Sequence, residues 1–96
     1  MRVGDIEYDH DRGLLSKDGV TVSISTGKRR AIWYILACNA NVVVDEDDIR
    51  KSIYGDRTMC EGIIRQHIYG LRRRIKMLRS GCKIVNWGIH TWELVT

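Results

Sequence analysis

The sequence predicts an α+β domain: an antiparallel sheet first, then three helices, then a closing β-hairpin. Three observations carry that prediction. Residues 2 to 24 are short runs of alternating apolar residues broken by glycine-containing turn signals, the pattern of half-buried strands. Between residues 61 and 79, Ile64, Ile68, Leu71, Ile75 and Leu78 recur three and four apart, which is one face of a helix with about 3.6 residues per turn. Residues 83 to 95 return to alternation on either side of Gly88.

Taken in order, Val3, Ile6 and Tyr8 belong to a first strand and Asp9 to Gly13 to a turn; Leu14 and Leu15 open a second strand. Lys17-Asp18-Gly19 is a hairpin signal, and Val20, Val22 and Ile24 then alternate with Thr21 and Ser23. Three such strands are marginal alone, so this sheet must pack on something. A helix over residues 26–39 follows, capped by Ser25 or Thr26, with Ile32, Ile35 and Leu36 on its apolar side and Asn39-Ala40-Asn41 at its end. Val42 to Val44 lead to Asp45, an N-cap for a second helix over 45–54. Glu46, Asp47 and Asp48 lie in its first turn, where negative charge is favoured. That acidic cluster reads as a cap and not as a metal site, because consecutive acids on one turn point in different directions. A short loop, Gly55 to Cys60, precedes the third helix, 61–79, and Ser80-Gly81 separates it from the hairpin, 83–95.

The 96 residues suffice for one domain with a modest core. With 44% hydrophobic and 29% charged residues the composition is that of a soluble globular protein. No apolar run reaches the roughly 18 residues of a membrane span, and no leader pattern opens the chain, so no membrane partner and a cytoplasmic location are expected. Cys38, Cys60 and Cys82 are odd in number and form no C-x-x-C pair, and His10, His67 and His90 are scattered, which predicts free thiols in a reducing compartment and no zinc site. Proline is absent, leaving nine glycines to punctuate the chain.

Charge is concentrated on one element. Residues 61–79 hold six basic residues and one acid, a net of +5, against −1 for residues 1–60 and zero for 80–96, which together give the +4 of the chain. Opposite the apolar stripe, Arg65, Gln66, Tyr69, Arg72, Arg73 and Lys76 share a face. A basic stripe on an otherwise balanced domain is the footprint of a nucleic-acid binder, although a solvated surface has the same composition.

Ile6-Glu7-Tyr8 and Gly19 to Ser25 in the leading sheet, Asn41 to Asp45 with Ile49, Ile53, Tyr54 and Gly55, His67-Ile68 with Leu71 to Ile75, and Ile84 with Trp92 and Leu94 resemble the winged helix-turn-helix effector domain of OmpR/PhoB-type response regulators over nearly the whole chain. Its most distinctive part is His67 to Ile75. Three departures stand out: Ser25 and Lys28 where the family's first helix usually opens with a Thr and a Glu, Arg65 where an acid usually precedes the His by two, and no arginine in the tip from Trp87 to Thr91. The 96 residues contain no receiver domain, so the resemblance is to an orphan or excised effector domain of bacterial or phage type.

The resemblance implies a sequence-specific regulator of transcription whose third helix enters the major groove of double-stranded DNA, and no enzyme. Arg65, Gln66, Tyr69 and Arg73 would face base edges or flanking phosphates, with Arg65 and Gln66 suited to guanine and adenine. Arg72, Lys76, Lys28, Arg29 and Arg30 would hold phosphates, and the tip would touch the minor groove through His90, although a plain exposed loop residue is the simpler reading of that histidine. His67 is expected to pack or bond within the fold, and Trp33, Trp87 and Trp92 to pack core and wing. RNA polymerase or a second copy in tandem on DNA are the further partners implied; no cofactor is. The rival reading is a winged-helix protein interaction module, which an exposed apolar patch at Trp87 and Ile89 would favour. Catalysis finds no support in the residues: there is no G-x-S-x-G, no phosphate-cradling glycine loop and no supported Cys–His arrangement.

Overall fold

The structure, a computed structural model, describes residues 1–24, 27–55 and 62–96. The expected cap at Ser25 or Thr26, the loop from Asp56 to Cys60, the Cys60 thiol and the helix start at Glu61 lie outside the described residues. Ten elements run in the order β1 (Arg2–Val3), β2 (Ile6–Asp9), β3 (Leu14–Lys17), β4 (Val20–Ser23), α1 (Gly27–Cys38), β5 (Val44–Asp45), α2 (Glu46–Tyr54), α3 (Ile63–Met77), β6 (Lys83–Asn86) and β7 (Thr91–Val95). The strands form two antiparallel sheets, β1-β2-β3-β4 and β5-β7-β6.

The leading sheet has four strands where the sequence predicted three. Val3, Ile6 and Tyr8 are all buried, as expected of one apolar face. Val3 and Ile6 stand three apart, which period-two alternation forbids within one strand. The chain turns between them at Gly4, whose φ of +58 is left-handed and whose missing Cβ would meet Cys82 Sγ at 2.8 Å. The second hairpin is as predicted: Lys17 pairs with Val20 across Asp18 and Gly19, both at positive φ, the geometry of a tight type I′ turn. Val20 sits at its rim and is exposed, so the apolar face of β4 begins at half-buried Val22 and reaches the core at Ile24.

The helices are shorter than predicted at their ends: α1 ends at Cys38 rather than residue 39, and α3 ends at Met77 rather than residue 79. After Leu78, Arg79 takes a left-handed φ of +54, and the Ser80 and Arg79 N–H groups close back on the Ile75 and Lys76 carbonyls at 3.2 and 3.0 Å. This double closure is the usual way such a helix stops. Asp45 caps α2 as predicted, accepting from Asp47 N at 2.8 Å. Val44 and Asp45 also pair with Trp92 and Thr91, a third wing strand that the sequence reading missed.

One core joins these parts. Trp33 and Leu36 of α1, Leu15 and Ile24 of the leading sheet, Ile49 of α2, the Ile64, Ile68, Leu71 and Ile75 stripe of α3 with Leu78 just past its end, and Trp92 and Leu94 of β7 are buried together. Trp33 and Trp92 pack as predicted, whereas Trp87 is 62% exposed and belongs to the surface of the wing. Among the described residues no helix is long and apolar enough to cross a membrane.

Candidate nucleic-acid interface

The core stripe of α3 fixes what its other side shows. Stepping from Gln66 to Tyr69, Arg73 and Lys76, again by threes and fours, gives an exposed row in which Tyr69 retains 53% of its surface. Among the described residues, none of the basic side chains of α3 forms an ion pair with an acid. The positive charge of the row is therefore directed at solvent.

Not every arginine of the predicted face belongs to it. Arg72 turns toward the wing, where Nε and Nη2 donate to the Ile84 carbonyl at 3.0 and 2.7 Å and the guanidinium lies 5.5 Å from the Trp92 ring. Its placement is that of a brace between α3 and β6. Arg65 is half-buried and donates through Nη2 to the Ile89 carbonyl at 2.6 Å, tying the first turn of α3 to the hairpin tip. One nitrogen of its fork is thus engaged with the hairpin tip, and among the described residues the guanidinium's other N–H groups have no bond of this kind.

The three cations at the start of α1 diverge, because successive residues of a helix face different ways. Lys28 stands 4.1 Å over the Tyr54 ring beside α2, and Arg30 reaches the carbonyls of His10 and Asp11 at 3.5 and 3.4 Å in the β2–β3 turn. Only Arg29 comes to α3, lying where a Cβ on Gly70 would touch its Cζ at 2.7 Å. There it shares a groove with Thr21, Gln66, Tyr69, Arg73 and Arg74. Arg74, to which sequence reasoning gave no role, donates to Ser23 O at 2.6 Å and Gly70 O at 2.8 Å and so clamps β4 onto α3. Burial, then the neighbouring charges of Arg29 and Arg73, hold its pKa below the ordinary guanidinium value, though a guanidinium stays charged. Three guanidinium groups at its walls make this groove positively charged. No sequence spacing announced it, since Arg29 and Arg74 are far apart in the chain.

At the wing, His90 Nδ1 lies 3.2 Å from Glu46 Oε2, the Trp92 indole N–H donates to Glu46 Oε1 at 3.0 Å, and the Glu46 N–H donates to the His90 carbonyl at 2.7 Å. His90, expected from sequence to be the tip's only chargeable contact to DNA, faces this carboxylate. Trp87 and Ile89 are the tip's exposed large apolar side chains.

His67 lies half-buried on α3, packed within the fold, with its Nδ1 buried and without a partner among the described residues. Burial first, then the charges of Arg29 and Lys28, lower its pKa from 6.5. Below about pH 6.5 the unfolded chain therefore takes up a proton that the folded chain resists, so stability is complete above that pH and declines as pH falls toward the folded value. Asp5 is also lowered, from 3.8, by the Ser80 hydroxyl first and then the Gly81 N–H, which donates at 2.9 Å. Its contribution is present above pH 3.8 and fades only below that. Urea midpoints measured from pH 7.5 to 5 should thus fall for the native chain and stay flatter for His67→Gln; an unchanged slope in the variant would remove His67 from this account.

No family model and no curated protein matches the chain. Solved structures do. The C-terminal domain of the nisin resistance regulator NsrR, a lantibiotic response regulator, superposes with a TM-score of 0.81 at 18% identity, covering 99% of this chain and 96% of that one. The DNA-binding domain of E. coli CadC gives 0.82 at 16% identity over 97% of this chain and 88% of that one, and the DNA-binding domain of E. coli CpxR gives 0.73 at 24% identity over 100% and 95%. These are regulator and DNA-binding domains, not enzymes. A four-stranded antiparallel sheet, three helices and a C-terminal hairpin in this order, superposing on these domains over nearly its whole length, give the chain the same fold as they have, a winged helix-turn-helix with a leading sheet.

Proposed function

We propose that the chain is a sequence-specific regulator of transcription that binds double-stranded DNA, with α3 in the major groove and the hairpin tip at the minor groove. The observation that carries this reading is the exposed row Gln66, Tyr69, Arg73 and Lys76, set above an unbroken apolar stripe and free of acidic partners among the described residues. Gln66 and Arg73 have the donors that suit adenine and guanine edges, and Tyr69 stands between them. Lys76 on the row and Arg29 in the groove beside it would hold phosphates, with Lys28 and Arg30 further out. Arg72 and Arg65 hold the wing at its angle to α3. Such a role places the chain in the cytoplasm, with RNA polymerase or a second copy in tandem on DNA as partners.

A pool of random-sequence duplex DNA, selected at about 50 and 200 mM salt, tests the proposal. Enrichment of one motif at both concentrations, with affinity falling steeply between them, is expected. Duplex RNA should compete poorly, because the deep, narrow major groove of A-form RNA excludes a helix. Exposed Trp87 and Ile89 favour a second reading, a protein interaction module without specific DNA binding. Failure to bind any duplex at 50 mM salt would select it.

A further inference from the structure

The hairpin tip carries an inference that rests on the DNA-binding reading and goes past it. Its four residues, Trp87 to His90, include no lysine or arginine, and its one titratable side chain faces Glu46. Ile89 is 73% exposed, more than any other large apolar residue described, and Trp87 is 62% exposed beside it. Neither is displayed by a loose loop. The Trp87 N–H closes on Thr91 O at 3.1 Å, and the Gly88 N–H on Asn86 Oδ1 at 3.2 Å. The Trp87 indole is fastened to Glu93 Oε1 at 2.7 Å, which lays it along the hairpin. The backbone carbonyls of Ile89 and His90 are held from two sides, by Arg65 of α3 and by the N–H of Glu46. Their fixation leaves the Ile89 side chain pointing outward from a braced tip.

An apolar side chain on a rigid arm cannot hold a phosphate. It can enter between base pairs, as aliphatic wedges do when they partly unstack a step from the minor groove and kink the duplex toward the major groove. The surroundings favour nucleic acid as the occupant, since Arg65 and Arg72 flank the tip and share its groove with Ile89 and Trp92. The Arg65 link also sets the tip directly beside the α3 row. We propose that Ile89 is an intercalating wedge, inserted into a minor-groove step flanking the site that α3 reads, and that it selects flexible pyrimidine–purine steps by the lower cost of opening them.

The test uses a duplex recovered from the random-sequence selection, carrying 2-aminopurine in turn at each flanking step. With the native chain and with Ile89→Leu, fluorescence should rise at one step as its bases unstack. Ile89→Ala should leave the melting temperature of the protein and the salt dependence of binding unchanged, abolish the fluorescence rise, and weaken binding roughly tenfold, as expected for the loss of one well-buried aliphatic contact. Binding by the native chain with no unstacking at any step would overturn the wedge while leaving the DNA-binding function standing. An equal rise with Ile89→Ala would overturn it too. So would a dimer of the free protein in sedimentation that the same substitution dissolves, because that outcome assigns Ile89 to contacts between copies. Absence of binding to any duplex would remove the underlying function as well.

Discussion

Trp92→Ala is expected to cost about 3 to 5 kcal/mol, the range for emptying a large aromatic from a packed site, out of a total stability of about 5 to 15 kcal/mol for a domain of this kind. Trp92 is where three parts of the molecule meet. It is buried, pairs in register with Val44 on one side and Asn86 on the other, donates its indole N–H to Glu46 at the start of α2, and lies under the Arg72 guanidinium of α3. Its removal leaves a cavity and also releases Glu46 and Arg72 from one partner each. Trp92→Phe keeps most of the ring and loses the N–H, so about 1 to 2 kcal/mol is expected there, the cost of one hydrogen bond to a charged group together with a small void. Thermal unfolding of the three proteins checks this. If alanine costs less than about 1 kcal/mol, the joint between wing and helices lies elsewhere.

Arg73→Ala should weaken binding to the preferred duplex by about 1 to 3 kcal/mol, roughly five- to 150-fold, and relax preference at one base position. Lys76→Ala, one turn further along the same exposed row, should weaken all duplexes alike and lower the salt slope by about one. The two residues differ in what their groups can do: a guanidinium presents paired donors in a fixed fork, and an ammonium acts as a point charge. Arg73→Lys separates the contributions, because it keeps the charge and gives up the fork, and so should lose base preference with little change in salt slope. Both side chains are exposed, so these changes leave folding near its native value. Titrations of the three variants on matched and scrambled duplexes decide the matter, and indistinguishable behaviour of Arg73→Ala and Lys76→Ala would dissolve the division between reading and anchoring.

What the sequence made legible was periodicity. The buried stripe of α3, the Asp18-Gly19 turn, the Asp45 cap and the closing hairpin each follow from local spacing or local chemistry, and each is found where it was expected. The elements it hid were too short for a period to show. The two residues of β1 and the two of β5 gain strand identity only from the strands beside them. The candidate interface was half legible for a different reason. Spacing placed Gln66, Tyr69, Arg73 and Lys76 on one face, but an arginine stem is long enough to reach around a helix, and where its head settles depends on which carbonyls lie nearby. Arg65, Arg72 and Arg74 each found one from another part of the fold. Trp87 and Trp92 looked alike in sequence; one lies past the last residue of β6 and the other within β7, and that offset separates surface from core.

The carbonyl acceptors of Arg65, Arg72 and Arg74 have one consequence for how this molecule responds to its medium. A cation bound to a neutral oxygen is not screened apart in the way two opposite ions are, so dissolved salt has little hold on the joints that set α3 against the sheet and the hairpin. Ionic strength then governs how tightly the surface holds a polyanion and leaves its shape alone: a protein released by brine departs with its contours already set for the next encounter.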